Sequence, residues 1–145
     1  MQTPPALSVI PDNRPGESRS GPVVLYVDER IGTDAERLLR AMAPNLIRCG
    51  SGREAIEIVR SRAVACVVAT LLLADMSATA LIPALRSSAP GLAVIVVLDR
   101  PEVSEAVSVM QAGAWAVVDS KVLSTGLFHH VAPLLDASAQ PLAHA

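Results

Sequence analysis

Apolar residues along this chain fall into two alternating patterns: short unbroken runs, and longer stretches where they recur every three or four positions. Unbroken runs rich in β-branched residues read as strands covered on both faces of a parallel sheet. Five such runs occur: Val23-Val24-Leu25-Tyr26-Val27, Asn45-Leu46-Ile47-Arg48-Cys49, Val64-Ala65-Cys66-Val67-Val68-Ala69, Leu92-Ala93-Val94-Ile95-Val96-Val97-Leu98 and Trp115-Ala116-Val117-Val118. Between them Ala35, Leu38, Leu39 and Met42 keep helical spacing, as do Ala55, Ile58 and Val59, then Leu81, Ala84 and Leu85, then Val103, Ala106, Val107 and Met110. A fifth helix is predicted from Ser124 onward. Thr33 and Glu36 have the spacing of a capping box, Pro101 suits a first helical turn, and Gly113 suits a helix exit. Pro83 is compatible with a third helix that starts near Thr79, whereas Pro133 predicts a kink or an early stop in the fifth. The order is (βα)5, an α/β chain that folds as a doubly wound, five-stranded parallel sheet with helices on both faces. In such flavodoxin-like sheets, ligands and chemistry sit at the carboxyl ends of the strands.

Composition narrows the partners. With 145 residues, 51% of them hydrophobic, the chain can bury one core of ordinary domain size. A formal net charge of -2 offers no basic stripe for a phosphate backbone, so the expected partner is a protein and not a nucleic acid. No apolar run reaches the roughly 18 residues a membrane span needs. The segment Met1 to Gly21, with Pro4, Pro5, Pro11 and Pro15, lacks a charged start followed by an apolar run, and is predicted to be a disordered extension. Folding is expected over residues 22–135, with 136–145 a short disordered tail. Cys49 and Cys66 have neither metal-ligand nor disulfide-framework spacing and read as buried small hydrophobes of a reduced, cytoplasmic protein.

At the carboxyl end of the first strand stand Asp28 and Glu29. Adjacent acids there are either divalent-cation ligands or solvated loop acids near the positive end of the next helix. Neighbouring positions carry Arg30, Ile31 and Gly32, not the glycine-rich loop that a nucleotide or flavin phosphate requires, so a nucleotide-binding reading of the layout lacks its motif. His129 and His130 are adjacent on the fifth helix and read as surface residues, unable to share a metal at helical spacing. Arg53, Arg60 and Arg62, interleaved with Glu54 and Glu57, read as a solvated face. Trp115, the sole tryptophan, is expected to be packed in the core or at an edge, with a partner or homodimer contact as the alternative.

Three separated motifs resemble response-regulator receivers, the CheY-like domains of two-component (phosphorelay) signal transduction. Leu25-Tyr26-Val27-Asp28-Glu29 resembles their first strand, which ends in two magnesium-binding acids. Leu73-Ala74-Asp75-Met76-Ser77-Ala78 resembles the loop after their third strand, usually Pro-Asp/Gly-Met-Asp/Ser-Gly, and Met110-Gln111-Ala112-Gly113-Ala114 resembles the exit of their fourth helix. The resemblance spans Val23 to Leu135 and implies the same (βα)5 fold.

It also implies a pocket that has been dismantled. The phospho-acceptor aspartate falls on Thr70, whose neutral hydroxyl cannot supply the acyl-phosphate chemistry of a carboxylate. The hydroxyl that closes the fourth strand falls on Leu98, which cannot donate a hydrogen bond. The lysine after the fifth strand falls on Ser120, with the only lysine, Lys121, one residue later and turned to the other face by strand alternation. The aromatic switch residue falls on Val117, and Asp75 reads as an ordinary turn residue. Asp28 and Glu29 remain and would hold magnesium weakly at best. The expectation is a stand-alone pseudo-receiver, not an enzyme and without a cofactor, that binds a signalling partner or a second copy through its fourth helix, fifth strand and fifth helix. The alternatives are a phospho-accepting receiver with a non-standard site and a small-ligand binder on the flavodoxin-like fold.

Overall fold

A computed structural model describes residues 22–99 and 102–139. Expectations for Met1–Gly21, for Pro101 and for residues 140–145 lie outside the described residues. The elements are β1 (Val23–Val27), α1 (Asp34–Met42), β2 (Asn45–Cys49), α2 (Gly52–Ser61), β3 (Cys66–Thr70), α3 (Ala78–Ser88), β4 (Ala93–Leu98), α4 (Val103–Gln111), β5 (Ala116–Asp119), a 3-10 turn (Ser120–Val122) and α5 (Leu123–Ala139). All five strands pair in parallel in the order β2-β1-β3-β4-β5. β1 is thus flanked by strands from both winding directions, and the order reverses between β1 and β3.

Strand alternation divides the core. Leu25, Val27, Val67, Ala69, Val94 and Val96 pack beneath α2, α3 and α4, while Val24, Tyr26, Cys66, Val68, Ile95 and Val118 pack beneath α1 and α5. β3 and β4 are buried at every position, which is why their sequences read as continuous apolar runs.

The Thr33 capping box forms in modified shape. Thr33 Oγ1 accepts from Glu36 N at 3.2 Å, and Glu36 Oε1 reaches back one residue further than usual, to Gly32 N at 3.0 Å. Gly113 leaves α4 at φ +112°, a conformation that favours glycine, with its Cα facing Arg86 and Ile82 of α3. α3 begins at Ala78 and accommodates Pro83 on its exposed side.

Two expectations about the last elements are corrected. α5 does not stop at Pro133 but runs on to Ala139, past the boundary expected at Leu135, with Pro133 on its exposed side. Trp115 is not packed: it precedes edge strand β5, held by its amide to the Val94 carbonyl at 2.7 Å, and its side chain is 56% exposed.

Candidate functional site

The reversal of winding between β1 and β3 opens a cleft of about 430 Å³ above the carboxyl ends of β1, β3 and β4. It is lined by Asp28, Glu29 and Arg30 from the β1–α1 loop, Thr70, Leu71 and Leu72 from the end of β3, Val97, Leu98 and Asp99 from β4 and its exit, and Glu105 from α4.

Asp28 is buried, so it is not the solvated loop acid that was one of the two expectations. Both of its carboxylate oxygens are occupied. Oδ1 accepts from the Arg30 backbone amide at 3.0 Å and from Arg30 Nε at 3.2 Å; Oδ2 accepts from Arg30 Nη2 at 3.0 Å and from the Tyr26 hydroxyl at 2.7 Å. Burial alone would raise the pKa of Asp28, but the Arg30 guanidinium and amide together with Tyr26 outweigh it and hold the carboxyl below the usual carboxylate value. Burial likewise pushes the Tyr26 phenol upward, so it stays a donor; the Thr33 hydroxyl lies 3.0 Å away on its other side.

The loop carrying Arg30 is pinned from the edge strand β2. Arg48 Nη2 donates to the carbonyls of Asp28 and Arg30, both at 2.8 Å, while its Nε lies 3.4 Å from Glu36 Oε1, an ion pair without hydrogen-bond geometry. Glu36 is held as a carboxylate first by Arg40, at 2.6 Å, and then by the Gly32 amide. On the other side of the cleft, Asp75 does more than turn the β3–α3 loop. Its two oxygens accept from the backbone amides of Gly52 and Arg53 at 2.9 and 3.0 Å, and those amides hold it below its ordinary pKa. An acid at the start of α2 is favoured by the helix's unpaired N–H groups.

Of the residues singled out in the sequence, Asp28, Glu29, Thr70 and Leu98 meet in the cleft. Thr70 is 8% exposed, and its Oγ1 has no hydrogen-bond partner among the described residues. Leu98 is buried in the core, and Val117, paired with Val96, packs against that same core. Ser120 lies outside the cleft, in the groove that also holds Lys121, although its hydroxyl donates to the Asp99 carbonyl at 3.2 Å. Lys121 is carried away by the 3-10 turn, into a separate groove with Asp34, Arg37 and Ser124. Glu29 is exposed. His129 and His130 meet edge to face at 4.9 Å on the surface of α5, and Cys49 and Cys66 are buried free thiols, pushed up by burial to about 11 and about 12.

These residues do not fit a divalent ion. The guanidinium of Arg30 occupies the space beside Asp28 from which a metal would coordinate it, Thr70 provides no carboxylate, and no group of three or more metal-ligating side chains exists among the described residues. Sequence reasoning did not find Arg30, Arg48 or Tyr26. The only signals were a basic residue two positions after Asp28 and a charged residue inside an otherwise apolar strand.

The architecture is that of CheY-like receiver domains. A response regulator receiver domain protein (CheY-like) from Methanospirillum hungatei JF-1 superimposes with a TM-score of 0.72 at 20% identity, over 84% of this chain and 99% of that one. The signal receiver domain of an HD domain-containing protein from Pseudomonas fluorescens Pf-5 gives 0.72 at 17% identity, over 88% and 96%. The chemotaxis protein CheY4 of Vibrio cholerae gives 0.70 at 15% identity, over 80% and 100%. No protein-family sequence model matches the chain, and no curated protein matches it by sequence.

Proposed function

We propose that this domain serves a two-component type of signalling pathway as a pseudo-receiver, which binds a protein partner without accepting a phosphoryl group and without catalysing a reaction. One observation carries the reading: a buried threonine, Thr70, ends β3 at the floor of the cleft, where acyl-phosphate chemistry needs a carboxylate. The remaining acid beneath the cleft, Asp28, is already neutralised by Arg30. Leu98 and Val117, both apolar, leave no hydroxyl and no aromatic ring to couple the cleft to the opposite face.

Support for the binding surface comes from α4, where Val103, Val107 and Met110 recur at helical spacing and are all exposed, Val103 by 82%. Trp115 before β5, and Val122 and Phe128 around α5, are exposed as well. Large apolar side chains left in water on adjoining elements suit a protein interface, with a second copy as one form of partner.

An amide NMR titration of the full chain with magnesium and then beryllofluoride, a mimic of the aspartyl phosphate, tests the first half of the proposal. Amides of Asp28, Glu29, Thr70 and β5 are expected to stay in place. A concerted, saturating shift of those amides would show a working phospho-acceptor and end the reading.

A further inference from the structure

The cleft retains features that neither phosphotransfer nor the Arg30 pair uses. Thr70, nine-tenths buried, lines it, and its hydroxyl oxygen, almost closed to solvent, has no partner among the described residues. A buried hydroxyl without a hydrogen bond is costly, and its presence points to a polar group that arrives from outside. Above it Glu29, Asp99 and Glu105 contribute three carboxylates; Arg30, the described cation beside them, feels Asp99 but gives its guanidinium hydrogen bonds to Asp28, so the rim carries more acid than base. Anions are repelled by that rim. Metal ions lack a ligand set among the described residues. Between floor and rim the exposed apolar wall is Leu72, at 73%, while Leu98 beneath it is buried.

We propose that the cleft is a socket for a single basic side chain, an arginine or lysine, presented by the partner protein. An aliphatic stem would lie along Leu72, and the cationic head would pair with Asp99 and Glu105 and donate to Thr70 Oγ1 once the threonine side chain turns toward it. An apolar wall below a carboxylate rim matches a long side chain with a charged tip better than a compact ion. The inference rests on the reading of the domain as a protein binder, and gives the partner's chemistry at this site.

The test is a titration of the full chain, followed by amide NMR, with an acetylated, amidated tripeptide Gly-Arg-Gly. The same peptide with citrulline in place of arginine serves as the neutral control, and spermidine represents a free small-molecule cation. Saturating shifts centred on Thr70, Leu98 and Asp99 are expected from the arginine peptide, with a Kd on the order of millimolar for one side chain. Citrulline should abolish them. Asp99→Asn with Glu105→Gln should weaken binding about tenfold and Thr70→Val a few-fold; Glu105→Gln alone, on surface helix α4, serves if the double variant unfolds. Equal binding of the citrulline peptide, indifference to these substitutions, or no shift at the cleft would overturn the socket. Tighter binding of spermidine than of the peptide would overturn its assignment to a partner protein. Each of these failures leaves the magnesium and beryllofluoride outcome untouched, so the two proposals fall separately.

Discussion

Replacing Arg30 by Met removes the guanidinium while keeping most of the stem, and isolates what the Asp28 pair contributes. Two bonds are lost, Nε to Oδ1 at 3.2 Å and Nη2 to Oδ2 at 3.0 Å, while the Tyr26 hydroxyl and the Arg30 amide continue to donate. Breaking a fully buried ion pair costs about 3–5 kcal/mol, and an exposed pair contributes about 0–1. Here the Asp28 side chain is 2% exposed but that of Arg30 is 56% exposed, and half of the bonds to Asp28 survive, so the expected loss is about 1–2 kcal/mol. For a domain of this size that lowers Tm by roughly 5 °C. The sign of the pH dependence follows from the depressed pKa of folded Asp28. Its contribution is fully present above the unfolded value, about 3.9, and is lost as pH falls through the lower folded value. Urea unfolding of both proteins from pH 7 down to pH 2.5 should therefore show a gap that closes through the carboxylate range. A gap that is independent of pH, or absent at pH 7, would refute the assignment of Asp28 as the charged partner.

Other consequences can be checked in the same way. Thr70→Asp alone should leave magnesium binding weak by calorimetry, because Arg30 still holds Asp28; adding Arg30→Ala should strengthen it by about tenfold or more, and tight binding in the single variant would contradict the role given to Arg30. Gly126→Ala places a Cβ 2.6 Å from Val118 Cγ1, so α5 must move off β5 at a cost of about 1–3 kcal/mol, partly offset by helix propensity; Val118→Ala should rescue the loss in a double-mutant cycle. Burial raises the Cys66 thiol to about 12, above an unfolded value of about 8.5, so its contribution is present below that pH and is lost as pH rises toward 12. Cys66→Ala should flatten the alkaline side of the stability profile, and an unchanged slope would show that another group titrates there.

Much of the fold was legible because strands covered on both sides must be apolar throughout, and β3 and β4 are buried at every residue. Thr70 and Leu98 were singled out by the resemblance to receivers rather than by periodicity, and both line the cleft. Lys121 lies in a separate groove, carried there not by strand alternation but by a 3-10 turn, capped by Asp119 on the Lys121 amide at 2.9 Å. Tertiary contacts were not legible. Arg48 reaches the Asp28 carbonyl from an edge strand 20 residues away, and Asp75 reaches Gly52 across 23 residues; no periodicity records either. Trp115 was misjudged because packing of a lone aromatic depends on whether a helix covers it, and none covers the residue before β5.

Thr70 and Arg30 solve one electrostatic problem from two sides. Carboxylates that converge on a cleft without a metal ion repel one another, and each must be screened, protonated or removed. A threonine at the end of β3 removes one. Arg30 neutralises the buried one, Asp28, and the Arg48 clamp on the carbonyls of both residues holds that pair in place without an ion from solvent. Glu29, Asp99 and Glu105 stay at the rim, where Glu29 and Asp99 are exposed and Glu105 is half-buried, so that water screens what the pair does not. Neither residue alone gives this balance: an aspartate at 70 would add repulsion above Asp28, and a neutral side chain at 30 would leave Asp28 buried with only Tyr26 and one amide. The two positions are therefore expected to couple, the Arg30→Ala penalty growing when Thr70 is also Asp, and a strictly additive pair would show that the cleft does not feel its own charge.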